Sequence, residues 1–414
     1  MVPKGWSVFR LEDIVIRTQL GTTERGMSED PLTTLIPLIK MGNLGWGSVN
    51  FNKVEYIEQS LINDSFLLKK GDFLFNTRNT PDLVGKSAVW DEDYTATFDN
   101  NINRIVFNKK VYTNFIAYYL NTGKGKSAIQ SLPAGSTSVA AIYWKDLKNI
   151  QLLLPSLGEQ QKIVQILSTW DKAISVTEKL LANSQRQKKA LMQQLITGNK
   201  RLLDENGVRF SREWKQVELG DVFEKVSNGL TYDANSLDGL PVTRIETIST
   251  GRVNFEKVGW APDCDNTRRF KLNLGDILYS HINSLEHIGR VAYFNDDKPL
   301  YHGMNLLLLR TKMQNNSLFL FHLLNSQVGK KYAKTYAKSA VNQASISTTD
   351  IKTFKVFIPE RLEQQKIASV LSAADAEISI LEKKLACLKD EKKALMQQLL
   401  TGKRRVKVDE AVAV

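Results

Sequence analysis

Residues 155–202 read PSLGEQQKIVQILSTWDKAISVTEKLLANSQRQKKALMQQLITGNKRL, and residues 359–406 read PERLEQQKIASVLSAADAEISILEKKLACLKDEKKALMQQLLTGKRRV. The offset is 204 positions, and 26 of the 48 aligned pairs are identical. Glu-Gln-Gln-Lys recurs at 159–162 and 363–366, and Lys-Lys-Ala-Leu-Met-Gln-Gln-Leu at 188–195 and 392–399. Each copy then closes on Thr-Gly. Chance does not produce such agreement, so the chain is read first as a duplication.

Between 159 and 197 there is neither proline nor glycine. Seam positions step by four and three through Ile163, Leu167, Trp170, Ile174, Thr177 and Leu181, lapse at Ser184 and Lys188, and resume at Leu191 and Leu195. The second copy gives Ile367, Leu371, Ala374, Ile378, Leu381, Leu385, Leu388, Lys392, Leu395 and Leu399. This is a heptad seam over about five heptads. Gly198 and Gly402 stand where helices stop. A helix of about 39 residues is roughly 58 Å long, too long for a surface helix without a partner along its length. One chain supplies both strands, so the pattern predicts an antiparallel coiled coil between the copies, with a globular block at each end. The alternative is a parallel coiled coil between two chains.

The offset persists upstream of each helix. Gly47–Phe51 matches 251–255, Gly71-Asp72 matches Gly275-Asp276, Gly85 matches Gly289, and Asp146-Leu147-Lys148 matches Asp350-Ile351-Lys352. Trp6, Leu11 and Asp13 match Trp214, Leu219 and Asp221 at an offset of 208, which puts one small length difference between residues 14 and 36. The expected layout is a block at 1–154, a helix at 155–198, a linker and second block at 199–358, a second helix at 359–402 and a basic tail at 403–414. Period-two stretches at 35–39, 72–76, 86–90, 103–107 and 150–154 read as strands. So do their counterparts at 241–245, 276–280, 290–294, 305–309 and 354–358. With helices at 113–121 and 318–325, each followed by short amphipathic pieces, each block is α+β and strand-rich, and the whole is a tandem repeat with pseudo-two-fold character.

Polar, loop-like stretches interrupt these strands, and they differ between the copies while the strands are kept. In the first block they hold Arg17, Arg25, Arg78, Asn79, Ser136 and Thr137, with Lys40 just after a strand. In the second they hold Arg268, His281, Asn283, Lys338, Asn342 and Gln343, with Arg244 beside them in a strand. Such side chains read base edges and phosphates, and they are also ordinary residues of solvated loops. These fourteen positions are the candidate DNA contacts.

The composition bounds the chemistry. The 414 residues carry 56 Lys+Arg against 44 Asp+Glu, a net charge of +12 that suits a polyanionic partner. At 42% hydrophobic and 24% charged the chain is globular rather than low-complexity. Two cysteines, Cys264 and Cys387, make neither a disulfide framework nor a cysteine-rich zinc site, which fits a reducing cytoplasm. No apolar run is long enough to span a membrane and the N-terminus does not read as a signal peptide. No Gly-x-Gly-x-x-Gly occurs, and Gly125-Lys126-Ser127 lacks the earlier glycine of a P-loop, so it reads as a loop. The four histidines all lie in the second copy without metal-ligand spacing. The pattern is that of a binder with no metal and no catalytic residues.

Two variable blocks, each followed by a helix opening Pro-x-x-x-Glu-Gln-Gln-Lys-Ile, resemble the specificity subunit of type I restriction–modification systems. Leu154-Pro155 with Glu159–Ile163, and Ile358-Pro359 with Glu363–Ile367, carry the resemblance, and the closing Lys-Lys-Ala-Leu-Met-Gln-Gln-Leu and Thr-Gly extend it. It spans essentially the whole chain. The resemblance implies that each block is a target recognition domain for one half of an asymmetric, split double-stranded DNA target. The helices would set the unread gap and dock two methylation subunits, which bind S-adenosylmethionine; this chain would hold no cofactor. Two restriction subunits complete the nuclease form of such complexes. The competing readings are a coiled-coil adaptor that binds proteins only, and a self-sufficient methyltransferase or nuclease. Salt-dependent DNA binding distinguishes the first, and methyl transfer by the isolated chain the second.

Overall fold

The computed structural model describes residues 2–26, 34–135, 139–232, 238–340 and 343–408. The chain forms two compact units, Met1–Thr177 with Lys384–Val414, and Glu178–Lys383. The boundaries cut through both long helices, Leu157–Ile196 and Arg361–Leu399. Each unit therefore owns the first half of one helix and the second half of the other.

In the first unit a four-stranded antiparallel sheet runs in the order Val15–Leu20, Ile102–Phe107, Phe73–Asn76, Ser87–Val89. The second unit repeats it with Phe223–Asn228, Leu307–Thr311, Ile277–Tyr279 and Val291–Tyr293. Ser7–Arg10 pairs with Gln151–Leu154, and Lys215–Glu218 with Lys355–Ile358. The block's first strand is thereby closed against the strand that feeds its long helix. One face of each main sheet is covered by short helices, Thr113–Leu120 and Gly123–Gln130 in the first unit, Ser317–Asn325 and Gln327–Tyr336 in the second. The Gly-Asp pairs do feed the central strands. Gly71 and Gly275 take φ of 92° and 93°, which glycine allows without strain. Asp72 and Asp276 accept the backbone N–H of Lys69 (2.9 Å) and Asn273 (2.7 Å), and each pairs with an arginine, Arg104 or Arg310.

The heptad seam appears as burial. Every seam position of both helices is buried or half-buried. In the first unit Ile163 and Leu167 are buried in one core with Leu399, and Leu395 packs against it. In the second, Leu195 is buried with Ile367 and Leu371, and Leu191 packs against them. Each fully buried aliphatic side chain contributes about 1.5–3 kcal/mol. The polar lapse is bridged by charge. Lys188 pairs with Asp375, Ser184 donates to Glu377 at 3.0 Å, and in the other unit Lys392 pairs with Asp171. Residue numbers fall along one helical segment as they rise along its neighbour, so within each unit the two segments run antiparallel.

The repeated Glu-Gln has a structural use. Glu159 is 2% exposed and takes a bidentate pair from Arg405, at 2.6 and 2.7 Å. Glu363 is 1% exposed and takes the same pair from Arg201, also at 2.6 and 2.7 Å. Gln160 accepts Tyr112 N–H and donates to the Pro155 carbonyl, while Gln364 does likewise with Asn316 and Pro359. Both helices end on a left-handed glycine, Gly198 (φ 72°) and Gly402 (φ 68°). The amide of Lys200 or Arg404 then bonds the carbonyl of Gln194 or Gln398, both at 3.1 Å.

Several expectations are corrected. Gly125-Lys126-Ser127 is not a loop but lies in the helix Gly123–Gln130, where a Cβ at residue 125 would collide with the Tyr119 carbonyl. Arg17 lies within a strand. Arg78-Asn79 and Ile282-Asn283 form two-residue strands, and Lys338–Ala340 with Gln343–Ser345 form a hairpin rather than loop. Partners distant in sequence impose these strands where local propensity is weak.

Arg405→Ala leaves Glu159 buried without its counter-charge. Because Arg405 is itself partly exposed, the expected loss is about 2–3 kcal/mol, below the range for a fully buried pair. Urea unfolding measures it; Arg10→Ala, which removes only an exposed pair with Glu12, should change stability by less than about 1 kcal/mol. Equal effects would contradict the structural role of the pair.

Candidate nucleic-acid interface

At the same place in each unit a small three-stranded sheet follows the central strand. In the first unit it orders Ala134–Gly135, Ala140–Ala141, Arg78–Asn79. In the second it orders Ile282–Asn283, Gln343–Ser345, Lys338–Ala340. The strand after Gly-Asp and the hairpin before the last short helix are over sixty residues apart in sequence, and tertiary pairing joins them (Asn79 opposite Ala140, Asn283 opposite Ala344). This brings together five candidates: Arg78 with Asn79, and Asn283 with Lys338 and Gln343. Ser136, Thr137 and Asn342 lie outside the described residues.

Within this pair of sheets the side chains divide by task. Asn79 donates to Asn76 Oδ1 at 3.1 Å and accepts Thr80 N–H at 2.9 Å. Asn283 donates to Ser280 Oγ at 3.0 Å and accepts Ser284 N–H at 2.8 Å. The two asparagines occupy equivalent positions and shape the same turn. Arg78, Lys338 and Gln343 are exposed. Their donors and acceptors are therefore available to a ligand, as base or phosphate contact requires.

The other candidates are scattered. Arg17 is exposed on the edge strand of the main sheet. Arg25 pairs with Asp99 at 3.6 Å, Lys40 with Glu55, and Arg244 with Glu246 at 3.4 Å. Arg268 is held in a bidentate pair by Asp263 at 2.7 and 3.0 Å. His281 departs most from expectation, for it is buried at 7% exposure and its Nδ1 has no partner. Burial pushes its pKa down to about 4, so the ring is neutral and turned into the core rather than toward a base.

The sequence model for the type I restriction modification DNA specificity domain matches this chain twice, at residues 3–183 and 211–390. The chain belongs to the family of type I restriction–modification specificity subunits. Among its relatives, the MjaVIII specificity subunit of Methanocaldococcus jannaschii is 24% identical over 421 residues, covering 98% of this chain and 94% of that one. The EcoKI specificity subunit of Escherichia coli K12 is 23% identical over 403 residues, covering 93% and 85%. A putative MjaX specificity subunit of M. jannaschii is 43% identical over 195 residues, 46% of each chain. The crystal structure of a type I restriction–modification S subunit from M. genitalium shares the fold with a TM-score of 0.63 at 16% identity, covering 96% of this chain and 99% of that one.

In this specificity subunit, sequence reasoning left the Glu159–Arg405 and Glu363–Arg201 pairs unassigned, though their repetition at a fixed offset was the available signal. Among the described residues no group of His, Cys, Asp and Glu could hold a metal ion, and no helix is long and apolar enough to cross a membrane. Cys264 and Cys387 are exposed free thiols.

Three histidines of the second unit are buried and held neutral. His302 and His322 join His281 with pKa pushed down to about 4, again by burial first. Each folded-state value lies below the ordinary 6.5, so the unfolded chain takes up protons first as pH falls. The contribution of these three histidines to the stability of the second unit is therefore lost from about pH 6.5 down to about pH 4. Thermal unfolding across that range checks this. His322→Tyr, which installs the residue found at the matching Tyr118, should flatten the profile; an unchanged profile would show that His322 is not a source of it.

Proposed function

We propose that each unit reads one half of an asymmetric, split DNA target through its small three-stranded sheet and neighbouring loops. The observation that carries this is the combination of shared scaffold and divergent edge. Both units keep the same sheet order and the same asparagine-shaped turn, yet one presents Arg78 where the other has Ile282. Groove reading by two spaced modules needs a stiff spacer. In this reading the two long helices form one antiparallel coiled coil that sets the unread gap. The excess of basic residues contributes phosphate contacts.

The helices would also dock two methylation subunits, which bind S-adenosylmethionine and transfer its methyl group to adenine, with two restriction subunits added in the nuclease form. This chain would select the address and carry no catalysis of its own, acting in the cytoplasm where its DNA lies. A protein-only adaptor has no use for two different polar edges on equivalent sheets.

Inserting seven residues into each helix in register lengthens the spacer by about 10 Å. At 3.4 Å per base pair the unread gap then grows by about three base pairs. Mapping methylated sites for the lengthened protein reads the gap; an unchanged gap would refute the spacer role. Arg78→Ala should relax one half-site only, at a cost of about 1–3 kcal/mol there. Competition binding with each half altered in turn measures it, and equal loss at both halves would contradict independent reading.

A further inference from the structure

The second unit contains a cavity of about 960 Å³ bounded by Lys188, Arg252, Arg290, Lys330 and Lys334, with Phe255 in its wall. Three of these cations are engaged. Lys188 pairs with Asp375, Arg252 with Glu382 at 3.4 Å, and Arg290 donates to the Ser249 carbonyl. Lys330 and Lys334 are not. They stand one turn apart on the helix Gln327–Tyr336, are exposed, and among the described residues have no carboxylate partner. Partial desolvation, then the like charges of Lys188, Arg290, Lys189 and Lys334, holds the Lys330 pKa below the ordinary lysine value. Glu286 and Asp296 also line the cavity, but among the described residues neither forms an ion pair with Lys330 or Lys334; the two lysines therefore repel one another, and a bound anion relieves that.

The first unit handles the same place differently. Gly85 and Gly289 pack against Ile129 and Ala333, which fixes the correspondence of the two helices residue by residue. Lys126 therefore matches Lys330, and it lies 4.0 Å from the centre of the Trp46 ring. Trp46 matches Thr250, Tyr118 matches His322, and Gln130 matches Lys334. Large aromatics in the first unit are replaced by smaller residues in the second, and the second gains a lysine.

We propose that this cavity is a phosphate-binding pocket belonging to the second unit alone, which takes a backbone phosphodiester of the bound DNA through Lys330 and Lys334. The inference rests on the DNA-binding reading above. Lysine suits this task, because a point charge on a flexible stem holds a phosphate without reading a base. The pocket would strengthen binding without adding specificity, and would make the two halves of the target unequal in their dependence on salt.

The test is binding of the full chain to duplex DNA across a salt series, followed by fluorescence anisotropy. Lys330→Gln with Lys334→Gln should reduce the slope of log Kd against log salt by about 1 to 2, with sequence preference unchanged. Thr250→Trp, which fills the cavity in the manner of Trp46 and leaves every charge in place, should reduce it as well. A wild-type slope in both variants would overturn the pocket, as would a loss of preference for particular bases. Inorganic phosphate observed by phosphorus NMR separates the sources. Line broadening by the wild type, abolished in the variants while their DNA slope stays normal, would assign the pocket to free phosphate and overturn the DNA assignment. A wild-type chain without salt-dependent DNA binding would instead remove the proposed function, and this inference with it.

Discussion

A buried carboxylate opens each long helix, and its counter-charge arrives from just beyond the end of the other helix. Glu159 depends on Arg405, and Glu363 on Arg201. An unpaired carboxylate at that depth costs several kcal/mol, so neither helix start is stable by itself. The adjoining glutamine ties the helix to the strand end and to the loop before the short helices. Together they orient the globular part of each unit on its own helix start. A unit is complete only when both helices contribute to it, which is why the chain divides at the middle of the helices and not at their ends.

This frame leaves variation to the edges. The central strands are buried throughout, Phe73–Asn76 and Ile277–Tyr279 alike, and tolerate little change. The small sheets that follow them are only two or three residues wide per strand and are held by a single asparagine turn. Their outward side chains can be exchanged without touching the core. Divergent edges on a repeated scaffold follow from that separation.

The long helices were legible because a heptad seam is a local pattern and because it was written twice. The Gly-Asp strands were legible for the same reason. The small sheets were not, since Asn79 finds its partner at Ala140 and no pattern at 77–80 announces it. His281 was misjudged because a histidine after a strand looks the same in sequence whether the chain turns outward or inward; the pairing of Ile282-Asn283 with 344–345 turned it inward. The loop reading of Gly125-Lys126-Ser127 failed because two glycines, Gly123 and Gly125, argue locally against helix, whereas close packing on Tyr119 requires one of them. The reciprocal ion pairs join residues 246 and 162 positions apart; the repeat marks Glu159 with Glu363 and Arg201 with Arg405 as equivalent, but nothing local in the sequence says that they meet.

The account stands on two different readers held at one fixed spacing. The most direct measurement is the complete set of methylated positions in the genome of the host that expresses this chain with its partner subunits. The account predicts one motif with two unlike half-sites separated by a constant number of unread bases. A contiguous motif, a palindrome or a variable gap would contradict it.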